Sequence, residues 1–205
     1  MTELAAPPGT AAEAAPAGPP APLDFEIVPL KGLPIVAVIM GLLIAAIAAN
    51  KLWPLTFFHV AGGAAWTIID LFLGLVLGPI MGKMSVPARI EFTTKLMPKM
   101  VLIMPVVVTA TLAAGWQLAT YLGTNVTSNP LHGWVVASMI VVGVMAILAL
   151  GLLEPANIAV LFELKKPRPN PQVIERLMKR FIYCAGVLGV MQVATLVIMT
   201  KLSSG

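Results

Sequence analysis

Polar residues are sparse along this chain and gather at intervals. Between them run five apolar stretches, residues 33–52, 55–82, 100–122, 131–162 and 181–200. Each reaches or exceeds the roughly 20 residues that carry an α-helix across a hydrocarbon core. The pattern predicts an all-α, polytopic transmembrane helical bundle of about five spans in a membrane domain over 31–205. The second span is long for a bilayer, so tilt or a break near Gly78-Pro79 is expected. Pro105 lies early in the third span, and Pro155 should kink the fourth beside Glu154 and Asn157.

The connections differ in charge. Residues 83–99, KMSVPARIEFTTKLMPK, carry four bases against Glu91, and Ile90, Phe92, Leu96 and Met97 suit an amphipathic interfacial turn. The 123–130 loop has no charge. After the fourth span, ELKKPRPNPQVIERLMKR reads as extended and then, from Pro171 onward, as a short helix leading into the last span. Ten of the thirteen lysines and arginines sit in these two basic loops. The positive-inside rule assigns both loops to the cytoplasm, with the N-terminus inside and the C-terminus outside. Residues 1–30, rich in Ala and Pro and mildly acidic, read as a disordered cytoplasmic tail or a strap that docks another subunit. No repeated motif marks an internal repeat.

Composition agrees with a membrane class. Of 205 residues, 59% are hydrophobic and 11% charged, where a soluble domain carries about a quarter charged. The net charge of +4 is explained by loop topology rather than by nucleic acid. Cys184, the single cysteine, rules out an internal disulfide and reads as a small buried apolar residue. The sequence has no nucleotide-binding motif, no Ser-His-Asp set and no metalloprotease motif, so an enzymatic role stays undecided.

Candidate chemistry concentrates in the second span, in FFHVAGGAAWTIID, residues 57–70. Eleven helical residues bring Asp70 back to within about 20° of His59, and Gly63 and Trp66 fall on the same stripe. Ala64, Ile68 and Leu75 form the opposite, lipid-suited face. Ionisable groups inside a membrane cost several kcal/mol and generally face a protein interior, a cofactor or a cavity.

Topology sets the only two histidines, His59 and His132, at the outer ends of two spans that run in the same direction. Two such histidines can ligate a haem b axially or help to hold copper, and Gly62 and Gly63 would leave room for a flat macrocycle. The plainer alternative makes His132 a solvated loop residue and bonds His59 to a backbone carbonyl. Asp70 and Glu154 both lie roughly 16–20 Å along their helices from a basic loop. As neighbours they would share a proton or a cation. Otherwise each would be neutral, or bonded to Thr67, Asn157, Gln192 or a freed backbone group near Pro155.

FFHVAGGAAW, with His59 seven residues before Trp66, resembles a group of small bacterial membrane proteins. These are the copper-resistance-protein-D-like proteins, related uncharacterised families and the integral-membrane protoporphyrinogen oxidases. The likeness lies mainly in residues 57–82. It implies a helical bundle in which His59 contacts haem or metal and Trp66 packs beside it. Thr67-Ile68-Ile69-Asp70 stands where those families carry glycines, and no span here has the interior lysine of the oxidases.

The leading expectation is therefore a multi-pass protein of a bacterial inner (plasma) membrane that binds haem b or copper near its outer face, in redox or metal handling. His59, His132, Gly63 and Trp66 would form the site. The alternatives are a non-catalytic subunit of a larger membrane complex, and a small transporter using Asp70 and Glu154. Expected partners are the lipid bilayer and other membrane subunits or further copies of the chain, with no nucleic acid.

Overall fold

The computed structural model describes residues 24–204. Most of the expected N-terminal tail, residues 1–23, lies outside the described residues. Every regular element among those described is helical. A short 3₁₀ turn, Leu30–Gly32, leads into α1 (Leu33–Ala49). Then follow α2 (Leu52–Leu71), α3 (Gly78–Lys83), α4 (Val86–Tyr121), α5 (His132–Leu148), α6 (Glu154–Leu164) and α7 (Pro171–Ser204). Taken through their breaks, these form five helices long and apolar enough to cross a membrane. The chain is a multi-pass helical protein by that measure.

Two of the five helices are interrupted by π-helical turns, over Phe72–Leu77 between α2 and α3 and over Ala149–Leu153 between α5 and α6. Each ends two residues before a proline, Pro79 or Pro155. Proline donates no backbone hydrogen bond, and its ring crowds the carbonyl four residues back. Widening the preceding turn relieves that crowding. The N–H groups of Gly78 and Glu154 accordingly reach back five residues, to the carbonyls of Leu73 and Ala149.

α4 runs unbroken for 36 residues, about 54 Å, so the interfacial turn expected before the third span is the same helix as that span. Thr93, Met97 and Pro98 are buried in its first half, which gives those turns a packing face of their own. α7 likewise joins the expected short helix to the last span. Asn170 caps it, its Oδ1 accepting from the N–H groups of Gln172 at 3.0 Å and Val173 at 3.4 Å.

The last four spans form a ring. α2 packs on α4, α4 on α6, α6 and α5 on α7, and α7 back on α2. Trp66, Met97, Met104, Val108, Met145, Leu161 and Leu188 fill its centre. α1 lies outside the ring against α4 and α2 and buries only Leu43 and Ala46. It ends at Asn50, whose left-handed backbone (φ 44°) turns the chain and whose Oδ1 accepts from Gln117 Nε2 at 2.9 Å. At the basic-loop end Phe25 and Ile27 pack on the central cluster, and Lys165 Nζ stands 5.5 Å over the Phe25 ring. This part of the tail docks on its own bundle.

The ring is made of two hairpins, α2 to α4 and α5 to α7, each with a π turn in its first arm. Leu73-Gly74-Leu75 and Gly78-Pro79 answer to Leu150-Gly151-Leu152 and Glu154-Pro155 around the two π turns. Ile90-Glu91 has a counterpart in Ile174-Glu175. Each hairpin also carries an i,i+4 ion pair there, Glu91–Lys95 at 2.6 Å and Glu175–Lys179 at 2.8 Å.

Candidate functional site

The stripe on α2 faces protein as its spacing predicts. Trp66 is 2% exposed and Asp70 1%, whereas Ile68 and Leu75 are 65% and 73% exposed. The stripe does not meet a single neighbour. Its outer part, His59 and Gly63, lies on α4, and its inner part turns onto α7.

At the outer part, glycines bring α2 and α4 close together. A Cβ on Gly62 would fall 2.5 Å from Thr111 Oγ1 and 3.2 Å from the Thr111 backbone nitrogen. Gly63 faces the Thr111 methyl. Gly115, one turn beyond Thr111, leaves space for the His59 imidazole, since a Cβ there would be 2.6 Å from Nδ1. His59 Nδ1 donates to the Thr111 carbonyl at 3.0 Å, in the tautomer that leaves the lone pair on Nε2. That orientation is the one metal-ligating histidines take. The space beside Gly62 is taken up by Thr111, while a Cβ on Gly63 would meet only its methyl at 3.6 Å.

The second histidine is not drawn into the same contact. α2 and α5 stand diagonally across the ring, and His59 is turned onto α4. His132, half-buried, has its Nδ1 enclosed without a hydrogen-bond partner. Among the described residues no group of three or more His, Cys, Asp or Glu side chains gathers in a way that could hold a metal ion.

The inner part of the stripe forms a polar cluster across the two hairpins. Gln192 of α7 is 2% exposed and donates through Nε2 to Asp70 Oδ2 at 3.3 Å. Its Oε1 accepts from Thr67 Oγ1 at 2.9 Å. The indole N–H of Trp66, one turn before Asp70, is buried with no partner in hydrogen-bond geometry. One carboxyl, one amide, one hydroxyl and one indole thus share a pocket with no cation in it. Apolar residues enclose the cluster, Leu71 lying 3.5 Å from where a Gly189 Cβ would be.

Glu154 forms no hydrogen bond to Asp70. It is 8% exposed at the head of α6, with Asn157, 3% exposed, one turn further along. Reasoning from the sequence named Gln192 and Thr67 as partners for a buried carboxyl and admitted a backbone carbonyl for His59. It passed over Thr111 and Gly115, although their i,i+4 spacing marks a narrow strip of α4 on which a histidine can lie.

No known protein family, curated protein or solved structure matches the chain. Its function is read from the geometry above.

Proposed function

We propose that this chain is a multi-pass protein of a bacterial inner membrane that binds and passes a proton at Asp70. One observation carries the reading: Asp70 is almost fully enclosed where the two hairpins meet, and its hydrogen bond to Gln192 crosses from one to the other. An ionisable group at membrane depth is costly, and such groups mark ion and proton paths. In many secondary transporters, sites lie near the midplane beside interrupted helices. Asp70 is two residues before the first π turn. In this reading the basic loops face the cytoplasm, with the N-terminus inside and the C-terminus outside.

The test is proton flux into liposomes that hold the purified protein and an internal pH dye, with a potassium diffusion potential as driving force. Wild type should acidify the lumen faster than empty liposomes, and Asp70→Asn should fall to the empty rate. Equal rates for wild type and Asp70→Asn overturn the reading.

A second reading, haem b or copper at His59 in redox or metal handling, is favoured by the Nδ1 bond to Thr111, which leaves the Nε2 lone pair free to ligate. It is also the role implied by the resemblance to copper-resistance-protein-D-like proteins. In that reading His59 supplies the first ligand, and His132 is the other histidine of the chain.

A further inference from the structure

The two hairpins interrupt their first helix at the same place, and they differ in what precedes the proline. The first has Gly78 and the second Glu154. Glu154 Oε1 is enclosed and has no hydrogen-bond partner, and Asn157 Oδ1 is in the same condition. Both residues are more than nine-tenths buried. Three positions apart on one helix, they lie on one face. None of the three ion pairs among the described residues includes Glu154. On α4 and α7, the helices packed against α6, Lys95, Lys99, Arg176, Lys179 and Arg180 are exposed, as are Glu91, Glu175 and Tyr183, and Arg89 and Cys184 are half-buried.

As placed, Glu154 Oε1 and Asn157 Oδ1 have no donor, and the Asn157 Nδ2–H bonds the ionised carboxyl only when the amide is turned over. Leaving such groups unpaired costs free energy of order several kcal/mol. A single hydrogen corrects the deficit, because a protonated carboxyl donates where a carboxylate only accepts, and the Asn157 carbonyl is an acceptor. A metal cation is the poorer occupant: hard cations take about six or more oxygen ligands, and this face offers a carboxyl and one amide.

We infer that Glu154 is a second proton-binding site, its carboxyl hydrogen donated to Asn157 Oδ1, on the basic-loop side of Asp70. The contacts fix its depth. Leu71 lies by Gly189 and Gly74 by Ala185, and Thr195 donates to Met145 Sδ at 3.4 Å. Extending these registers sets Glu154 beside the level of Gly74, about one helical turn, roughly 5 Å, inward of Asp70. The two carboxyls then flank equivalent π turns, Asp70 before the first and Glu154 after the second. Binding forms one O–H bond from a carboxylate and a proton, and release breaks it. The inference deepens the reading of Asp70 and rests on it for the direction in which the proton moves.

The experiment is labelling of the full chain in mild detergent with dicyclohexylcarbodiimide. A protonated carboxyl in apolar surroundings adds across the carbodiimide and rearranges to a stable N-acylurea. The adduct is located by peptide mass mapping. Glu154 should carry the adduct in wild type and in Asp70→Asn, and labelling should fall as pH rises. Excess sodium chloride should leave it unchanged. No adduct on Glu154, or an adduct that sodium suppresses, overturns the proposal. The wild-type map needs no variant to fold. In the liposome assay Glu154→Gln should slow flux at least tenfold. If Asp70→Asn abolishes flux and Glu154→Gln stays within twofold of wild type, Glu154 loses its role and Asp70 keeps its own. If wild type carries no flux, the reading of Asp70 fails and the map still decides whether Glu154 holds a proton.

Discussion

His59 lies in the space that a side chain on Gly115 would occupy: a Cβ there would stand 2.6 Å from Nδ1 and 2.7 Å from Cε1. Gly115→Ala should therefore push the imidazole away from the Thr111 carbonyl and lower stability by about 1–3 kcal/mol, the usual range for overpacking. Thermal unfolding in detergent checks this. His59→Ala in the Gly115→Ala background should recover most of the loss, because the two changes act on one contact. Additive losses would show that the contact is not the cause.

Gly62 and Gly63 are adjacent in sequence and should behave oppositely. A Cβ at Gly62 meets the Thr111 backbone and an Oγ1 already held by the Val107 carbonyl at 2.8 Å, so little can give way. Gly62→Ala should cost about 1–3 kcal/mol. At Gly63 the nearest atom would be a methyl at 3.6 Å, an ordinary contact. Gly63→Ala should be neutral, or stabilising by up to about 1 kcal/mol through helix propensity. Equal melting temperatures for the two variants would contradict the close approach of α2 to α4.

Gln192→Leu removes the donor to Asp70 and the acceptor for Thr67 together. It should destabilise the protein by about 1–3 kcal/mol, the cost of buried groups left unpaired. Asp70→Asn keeps a group that can bond the amide and should stay within about 1 kcal/mol of wild type. The loss caused by Gln192→Leu should shrink when Thr67→Val is also present, because one of the unpaired groups is then gone.

The two functional readings part on a reduced-minus-oxidised visible spectrum of protein expressed with haem supplied. On the proton reading, wild type and His59→Ala should give the same spectrum, without a b-type band, and neither should hold copper. A band or bound copper that His59→Ala removes, with His132→Ala unchanged, would give the functional site to His59 instead.

Much of this was legible in the sequence, and the parts that were not have identifiable causes. The spans follow from apolar length alone. The inward stripe from His59 to Asp70 follows from the helical angle, which holds wherever the backbone is regular. Which neighbour each residue meets is set by helix crossing, and no spacing within α2 encodes that His59 goes to α4 and Asp70 to α7. The two π turns were not legible, because a proline in an apolar run marks a break without saying how the preceding turn accommodates it. Gly62 and Gly63 read equally well as room for a ligand or room for a helix, and only Thr111, 49 residues after Gly62, decides between them.

The two sides of α2 are built differently, and this has a mechanical consequence. Toward α4 it is locked by glycine contacts that leave no slack, with the His59 bond among them. Toward α7 it is held by an amide and a hydroxyl, groups that can exchange partners at little cost. Any rearrangement that admits a proton from either side would then leave α2 riding with α4 as one rigid arm. The surface that parts would be the α2–α7 seam, and Gln192 would be its latch.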